Sequence, residues 1–134
     1  MINDQRVIAV FTGNRAEYGL QVPILKKIAA HPWLDYRLIV SGAHLDDDFG
    51  NTLSEIRSDG FQVHAEVNIA MPADDLAATA HAIGSGVIGV SKALQSLSPD
   101  MLLVYADRFE GFAAVIAGSQ MNIPTIHIEG KTVL

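Results

Sequence analysis

The sequence predicts a doubly wound α/β fold, a parallel sheet in the strand order 3-2-1-4-5 with helices on both faces. Three observations carry this expectation. Short apolar runs alternate with segments of helical spacing, giving β-α-β-α-β-α-β-α-β with short links, the pattern of a parallel sheet. Met101–Tyr105 has no polar position, as a strand buried on both faces requires. Asp107 and Glu129 each fall just past an apolar run, where side chains in such folds meet ligands beyond the carboxyl ends of the strands. The order makes strands one and four central and puts the topological switch point between them.

Arg6–Thr12, with its Val-Ile-Ala-Val-Phe core, reads as a central strand. Gly13-Asn14-Arg15 makes the turn, and a helix is expected from about Tyr18, with Leu20, Ile24, Leu25 and Ile28 on one face. Pro23 is placed near its first turn, where a missing N–H matters little, and His31-Pro32 stops it. Tyr36–Ser41 is the second strand, leading into Ser41-Gly42-Ala43-His44 and the acidic run Asp46-Asp47-Asp48. A short helix is expected over Thr52–Ser58, ended by Gly60. Phe61–Asn68 alternates apolar Phe61, Val63, Ala65 and Val67 with polar residues, the mark of a one-sided strand at a sheet edge.

Asp74-Asp75 opens the longest helix, where acidic residues suit the positive end of the dipole. Its apolar stripe is read as Leu76, Ala80, Ile83, Val87, Val90, Leu94 and Leu97, and Pro99 ends it. Gly84, Gly86 and Gly89 weaken this helix but permit close packing against a neighbour. The last βαβ unit follows: strand Met101–Tyr105, helix Phe109–Met121 with Phe112, Ala113, Ile116 and Ala117 inward, and strand Thr125–Ile128. Glu129–Leu134 leaves that strand without a covering helix, so the chain is read as the first half of something larger.

The 134 residues suffice for one domain with a core. Hydrophobic residues make up 49% and charged residues 18%, which places the chain among globular rather than disordered sequences. A formal net charge of −6 with no Lys/Arg cluster argues against a nucleic-acid or anionic-membrane partner. There is no cysteine, hence no disulfide, thiolate nucleophile or thiolate metal site. No apolar run reaches 18 residues, and the polar N-terminus lacks a signal-peptide plan. A soluble cytoplasmic protein is the expectation.

Adjacent strands lie about 4.8 Å apart, so Asp107 and Glu129 are expected to face one cleft. Like charges at that range push one carboxyl's pKa upward, and an acid paired with a base suits proton transfer. The plainer reading of Asp107 and Glu110 is a helix start, with Asp107 as cap and Glu110 three residues on. That leaves Arg108, His127 and Glu129 unexplained. His127 reads either as a core residue or as support behind the site. Gly13-Asn14-Arg15 is not a dinucleotide-binding glycine loop; it is either one phosphate's seat at a helix N-terminus, with Arg15 added, or an ordinary βα turn. Asp46-Asp47-Asp48 reads as an acidic first helical turn rather than a metal site. His44 follows the second strand on the same side as the other candidates, whereas His31, His64 and His81 receive no role.

Taken in order, Gly13-Asn14-Arg15-Ala16-Glu17-Tyr18-Gly19, Ser41-Gly42-Ala43-His44-Leu45, Phe49-Gly50, Asp59-Gly60-Phe61, Ala106-Asp107-Arg108-Phe109-Glu110 and His127-Ile128-Glu129-Gly130 resemble the hydrolysing UDP-N-acetylglucosamine 2-epimerase family. The resemblance implies one half of a two-domain, glycosyltransferase-like fold. Residues 1–134 would be the N-terminal Rossmann-like domain, and the second, UDP-binding domain would be absent. It implies a UDP-N-acetylhexosamine substrate, UDP-N-acetylglucosamine or a bacillosamine-type sugar, on the way to sialic or legionaminic acid. A base takes the C2 proton as UDP leaves C1, and water adds with inversion at C2, giving N-acetylmannosamine and UDP. By motif position Asp107 and Glu129 match the catalytic acids, with the division into acid and base left open. Gly13, Arg15, Glu17, His44, Arg108, Glu110 and His127 are expected on the substrate side, with no metal and no cofactor. Ala106 replaces a family glycine, where its Cβ is expected to crowd backbone close to the sugar, and Lys131 replaces another, where the family chain would turn toward the rest of the site. A chain lacking the second domain is expected to turn over little and to associate, as a dimer, through its uncovered apolar face. The alternative reading is a non-catalytic module that binds a nucleotide sugar or a partner.

Overall fold

The computed structural model describes residues 4–45, 52–69, 75–105 and 108–128. Five parallel strands form one sheet: β1 (Arg6–Thr12), β2 (Leu34–Ser41), β3 (Ala65–Val67), β4 (Met101–Val104) and β5 (Thr125–His127). Their order across the sheet is β3-β2-β1-β4-β5, as the sequence predicts. β1 and β4 are therefore neighbours at the centre, paired from Ile8 with Met101 to Phe11 with Val104. Helices α1 (Arg15–Ala30) and α2 (Leu53–Ser58) cover one face, and α3 (Ala78–Leu97) and α4 (Phe109–Gln120) cover the other. Alternate residues of the central strands divide between two cores: Ile8 and Val10 pack with Tyr18, Leu25 and Ile56, whereas Ala9 and Phe11 pack with Val90, Leu94 and Ala117.

Several boundaries differ from those read in the sequence, each for a local reason. α1 begins at Arg15 rather than Tyr18, because Asn14 is its N-cap. The Asn14 side chain accepts from the Glu17 amide at 3.0 Å, and Glu17 Oε1 accepts from the Gly13 amide at 3.0 Å, a reciprocal cap that starts the helix early. Pro23 consequently lies in mid-helix, not in the first turn, and removes one backbone hydrogen bond there. β2 begins two residues early, at Leu34. β3 keeps its one-sided pattern at the sheet edge but pairs over only three residues. Upstream of it, one backbone bond from His64 N–H to the Leu38 carbonyl is supplemented by side chains: Gln62 N–H donates to the Tyr36 hydroxyl, and Leu38 N–H donates to His64 Nδ1.

α3 starts at Ala78, so Leu76 lies outside it, fully exposed. Ser98 ends it in the left-handed conformation, one residue before Pro99. Its most buried positions are Ala82, Gly86, Val90 and Leu94, which rotates the inward stripe from the one counted on large apolar residues. α4 likewise buries Ala113, Ala114, Ala117 and Gly118, while Phe112 is largely exposed. Among the described residues no helix is long and apolar enough to cross a membrane.

Candidate active site

The turns that leave β1, β2 and β4 gather at the carboxyl edge of the sheet, on either side of the switch point. After β1, Gly13 and Asn14 are buried by the reciprocal cap of α1. After β2, Gly42 turns the chain with φ +61°, and a Cβ there would come within 2.8 Å of the Gly13 carbonyl oxygen. Only glycine meets both demands. After β4, the chain enters α4 through Arg108, the helix's N-cap, which makes no side-chain capping bond. Glu110 is thus at the second helical position, which displaces the expected box with Asp107 as cap.

Asp107 and Glu129, expected as the catalytic carboxyls, lie outside the described residues, as do Ala106, Lys131 and the run Asp46-Asp47-Asp48. The remaining candidates are placed. Gly13 is buried, with Glu110 packed against it. Arg15 is exposed and paired with Glu55 at 3.3 Å, a surface ion pair of little energetic weight. Arg108 is half-exposed, bonded through Nη2 to Glu110 Oε1 at 3.2 Å, with its guanidinium 5.7 Å from the Phe109 ring centre. His127 is exposed rather than in the core, on the edge strand β5, in register with Val104.

Glu17 and Glu110, expected on the substrate side, are instead enclosed by protein, at 6% and 0% exposure. Burial raises the Glu17 carboxyl to about 7; the Gly13 amide opposes this and the Glu110 charge adds to it. Burial also raises Glu110, against the pull of Arg108. Sequence patterning misses this burial because a charged side chain in a helix's first turn reads as a dipole partner in water.

His44 is also fully buried, in the short 3-10 helix Gly42–Leu45. Its Nε2 lies 2.9 Å from Thr12 Oγ1, and its Nδ1 meets Thr52 Oγ1. The Thr12 hydroxyl turns toward the Asn14 carbonyl at 3.4 Å. A single direction satisfies the set: Thr52 O–H donates to Nδ1, Nε2–H to Thr12, and Thr12 O–H to Asn14. Burial lowers His44 to about 4, so the ring is neutral at pH 7. It ties β1, β2 and the start of α2 together and does not face solvent. The two threonines are site residues that sequence reading passed over, since isolated hydroxyls carry no spacing signal.

Among the described residues no group of three or more His, Asp or Glu side chains is arranged to hold a metal. What the edge offers is a neutral histidine, two enclosed carboxyls and a half-exposed guanidinium around glycine turns, with the segments that carry Asp107 and Glu129 following β4 and β5.

Known proteins share both the sequence and the architecture. The pattern of the UDP-N-acetylglucosamine 2-epimerase family matches residues 26–131. A UDP-N,N'-diacetylbacillosamine 2-epimerase (hydrolyzing) of Legionella pneumophila is 36% identical over 93% of this chain and 33% of its own length. Among solved structures, a UDP-GlcNAc 2-epimerase from Neisseria meningitidis bound to UDP-GlcNAc superposes with a TM-score of 0.76 at 22% identity, over 93% of this chain and 32% of its own. One from Methanocaldococcus jannaschii, in complex with UDP-GlcNAc and UDP, gives 0.77 at 20% identity, over 92% of this chain and 32% of its own. The chain spans about a third of the length of the curated relatives it matches. With a family pattern running from α1 past β5 over the strand order that the motifs require, the chain belongs to the UDP-N-acetylglucosamine 2-epimerase family.

Proposed function

We propose that this chain is the N-terminal domain of a hydrolysing UDP-N-acetylhexosamine 2-epimerase, which needs a second domain for the uridine diphosphate. The observation that carries this reading is the register of β4 and β5. Val104 pairs with His127, Asp107 is three residues past the first, and Glu129 two past the second. Adjacent parallel strands thus lead, at one end of the sheet, into the two segments that carry a carboxyl each, and a pair of carboxyls is what proton removal on one face of a sugar ring and proton return on the other requires. One carboxylate removes the C2 proton while the C1–O bond breaks and UDP departs with the electron pair, leaving a C1=C2 double bond. Water then adds its oxygen at C1, and a proton returns to C2 on the other face. The products are the free 2-epimeric N-acetyl sugar and UDP. On this reading Arg108 offers its guanidinium to the departing diphosphate. The Legionella relative favours a diacetylbacillosamine-type sugar and the Neisseria structure N-acetylglucosamine; the substrate assay takes both.

The test is a chimera in which this chain replaces the matching third of the Legionella enzyme. It is expected to release UDP and, in deuterated water, to give product carrying deuterium at C2. Asp107→Asn and Glu129→Gln are each expected to lower turnover by roughly 10²–10⁴-fold. A folded chimera whose UDP release is the same in both variants would sink the assignment.

A further inference from the structure

Three turns meet over the end of β1, and the side chain at their junction is Glu110. A Cβ on Gly13 would lie 3.0 Å from Glu110 Cβ and 3.2 Å from its Oε2; one on Gly42 would lie 3.2 Å from its Cγ. Two glycines on two different turns therefore make the room this side chain fills. Glu110 Oε1 holds Arg108 at 3.2 Å, while Oε2 is buried with no hydrogen-bond partner among the described residues. Glu17 reaches the same turn from α1. Its Oε1 holds the Gly13 amide, and its Oε2 is likewise buried and unpartnered. Two ionised carboxylates on one enclosed turn, each with one oxygen left without a donor among the described residues, are costly to bury together.

We propose that Glu110 is a positioning residue, whose buried carboxylate orients Arg108 and clamps the Gly13 and Gly42 turns to the start of α4, and that Glu17 stands opposite it in the protonated form. Arg108 decides where the charge lies, since it bonds Glu110 directly and, among the described residues, no basic side chain is paired with Glu17. The Glu110 charge then adds to burial in holding Glu17 up, near 7, and Arg108, the other charged group among the described residues that acts on either, pulls both down. Glu110 thereby moves from the substrate's surroundings to the layer behind them. That Arg108 faces a nucleotide sugar rests on the function proposed above; the clamp itself does not.

The experiment is a carboxyl-carbon NMR titration of this chain labelled at glutamate, with solvent exchange of the Arg108 side-chain N–H followed in parallel. Glu17 is expected to titrate near 7, and in Glu110→Gln its midpoint should fall by about one pH unit as the like charge is removed. Arg108 exchange should quicken about tenfold in that variant, the loss of one charge-assisted bond. Glu110→Asp, which keeps the charge but shortens the reach, should quicken Arg108 while leaving Glu17 raised. A Glu17 midpoint or an Arg108 exchange rate that Glu110→Gln leaves unmoved would overturn the proposal. Should Glu110→Gln fail to fold, Glu17→Gln reports instead: Glu17 is neutral while Glu110 ionises, so the Glu110 midpoint should hold and Arg108 stay protected, and Arg108 exchange that quickens there would overturn the clamp. No step uses a nucleotide sugar, so failure of the epimerase reading and failure of the clamp are separately visible.

Discussion

His44 and Glu17 lie close in the fold and respond to acid in opposite senses. Unfolded, His44 titrates near 6.5; folded, it resists protonation to about 4. In that interval the unfolded chain holds the extra proton, so the stability that neutral His44 contributes is complete above pH 6.5 and lost as pH falls to about 4. Glu17 is raised from 4.5 to about 7. Here the folded chain holds the extra proton, so its contribution is complete below pH 4.5 and lost as pH rises to about 7. Each spans roughly 3 kcal/mol, at about 1.4 kcal/mol per pH unit. Their slopes oppose each other between pH 4.5 and 6.5. Urea unfolding at stepped pH should therefore show Glu17→Gln gaining stability with pH across this window and His44→Gln losing it, the parent lying flatter than both. Parallel profiles in all three proteins would refute the two burial effects.

At the scale of the element, α3 and α4 show what sequence periodicity can and cannot deliver. The apolar count put Leu76, Phe112 and Ile116 inward beside Ala113 and Ala117, yet the buried positions are Ala82 and Gly86 of α3 and Ala113, Ala114, Ala117 and Gly118 of α4, with Gly86 set against Ala113 and Gly118 against Leu102 of β4. A close helix crossing excludes bulk, so the residues that make it are those hydropathy ranks lowest among apolar ones. The glycines were legible as permitting close packing, though not which of them does so. A Cβ at Gly86 would come 2.9 Å from both Ala113 Cβ and Ile69 Cδ1, whereas one at Gly84 meets nothing within 4 Å. Gly86→Ala is expected to cost about 1–3 kcal/mol by overpacking, despite alanine's better helix propensity. Gly84→Ala should gain about 0.5–1 kcal/mol. Thermal unfolding of the pair would show the two glycines moving Tm in opposite directions. Equal shifts would mean that the crossing is looser than drawn. The burial of Glu110 escaped the sequence for a related reason: nothing in its charge or spacing announces that two glycines elsewhere have made room for it.

For the whole molecule, strand order and switch point follow from a pattern as coarse as apolar runs separated by helices, because short right-handed connections leave few other solutions. That is why the architecture was legible from the chain while the register of the turns at its edge was not. The same order has a consequence for synthesis. The first strand made, β1, has its second neighbour in β4, with Ile8 beside Met101 roughly ninety residues later. As the chain emerges from a ribosome, β1 to β3 can align early, but one flank of the central strand and the α3–α4 side of its core stay open to solvent. Closing so long a loop yields no compensating contact until β4 arrives. Stalled nascent chains ending before Met101 should thus be cut readily by protease, with protection appearing abruptly once residues through α4 have cleared the exit tunnel. Protection that grew evenly with length would mean that the amino-terminal half holds itself together. The interval between translating β3 and releasing β4 is therefore when the apolar face of β1 that α3 and α4 later cover is expected to be most open to misassociation.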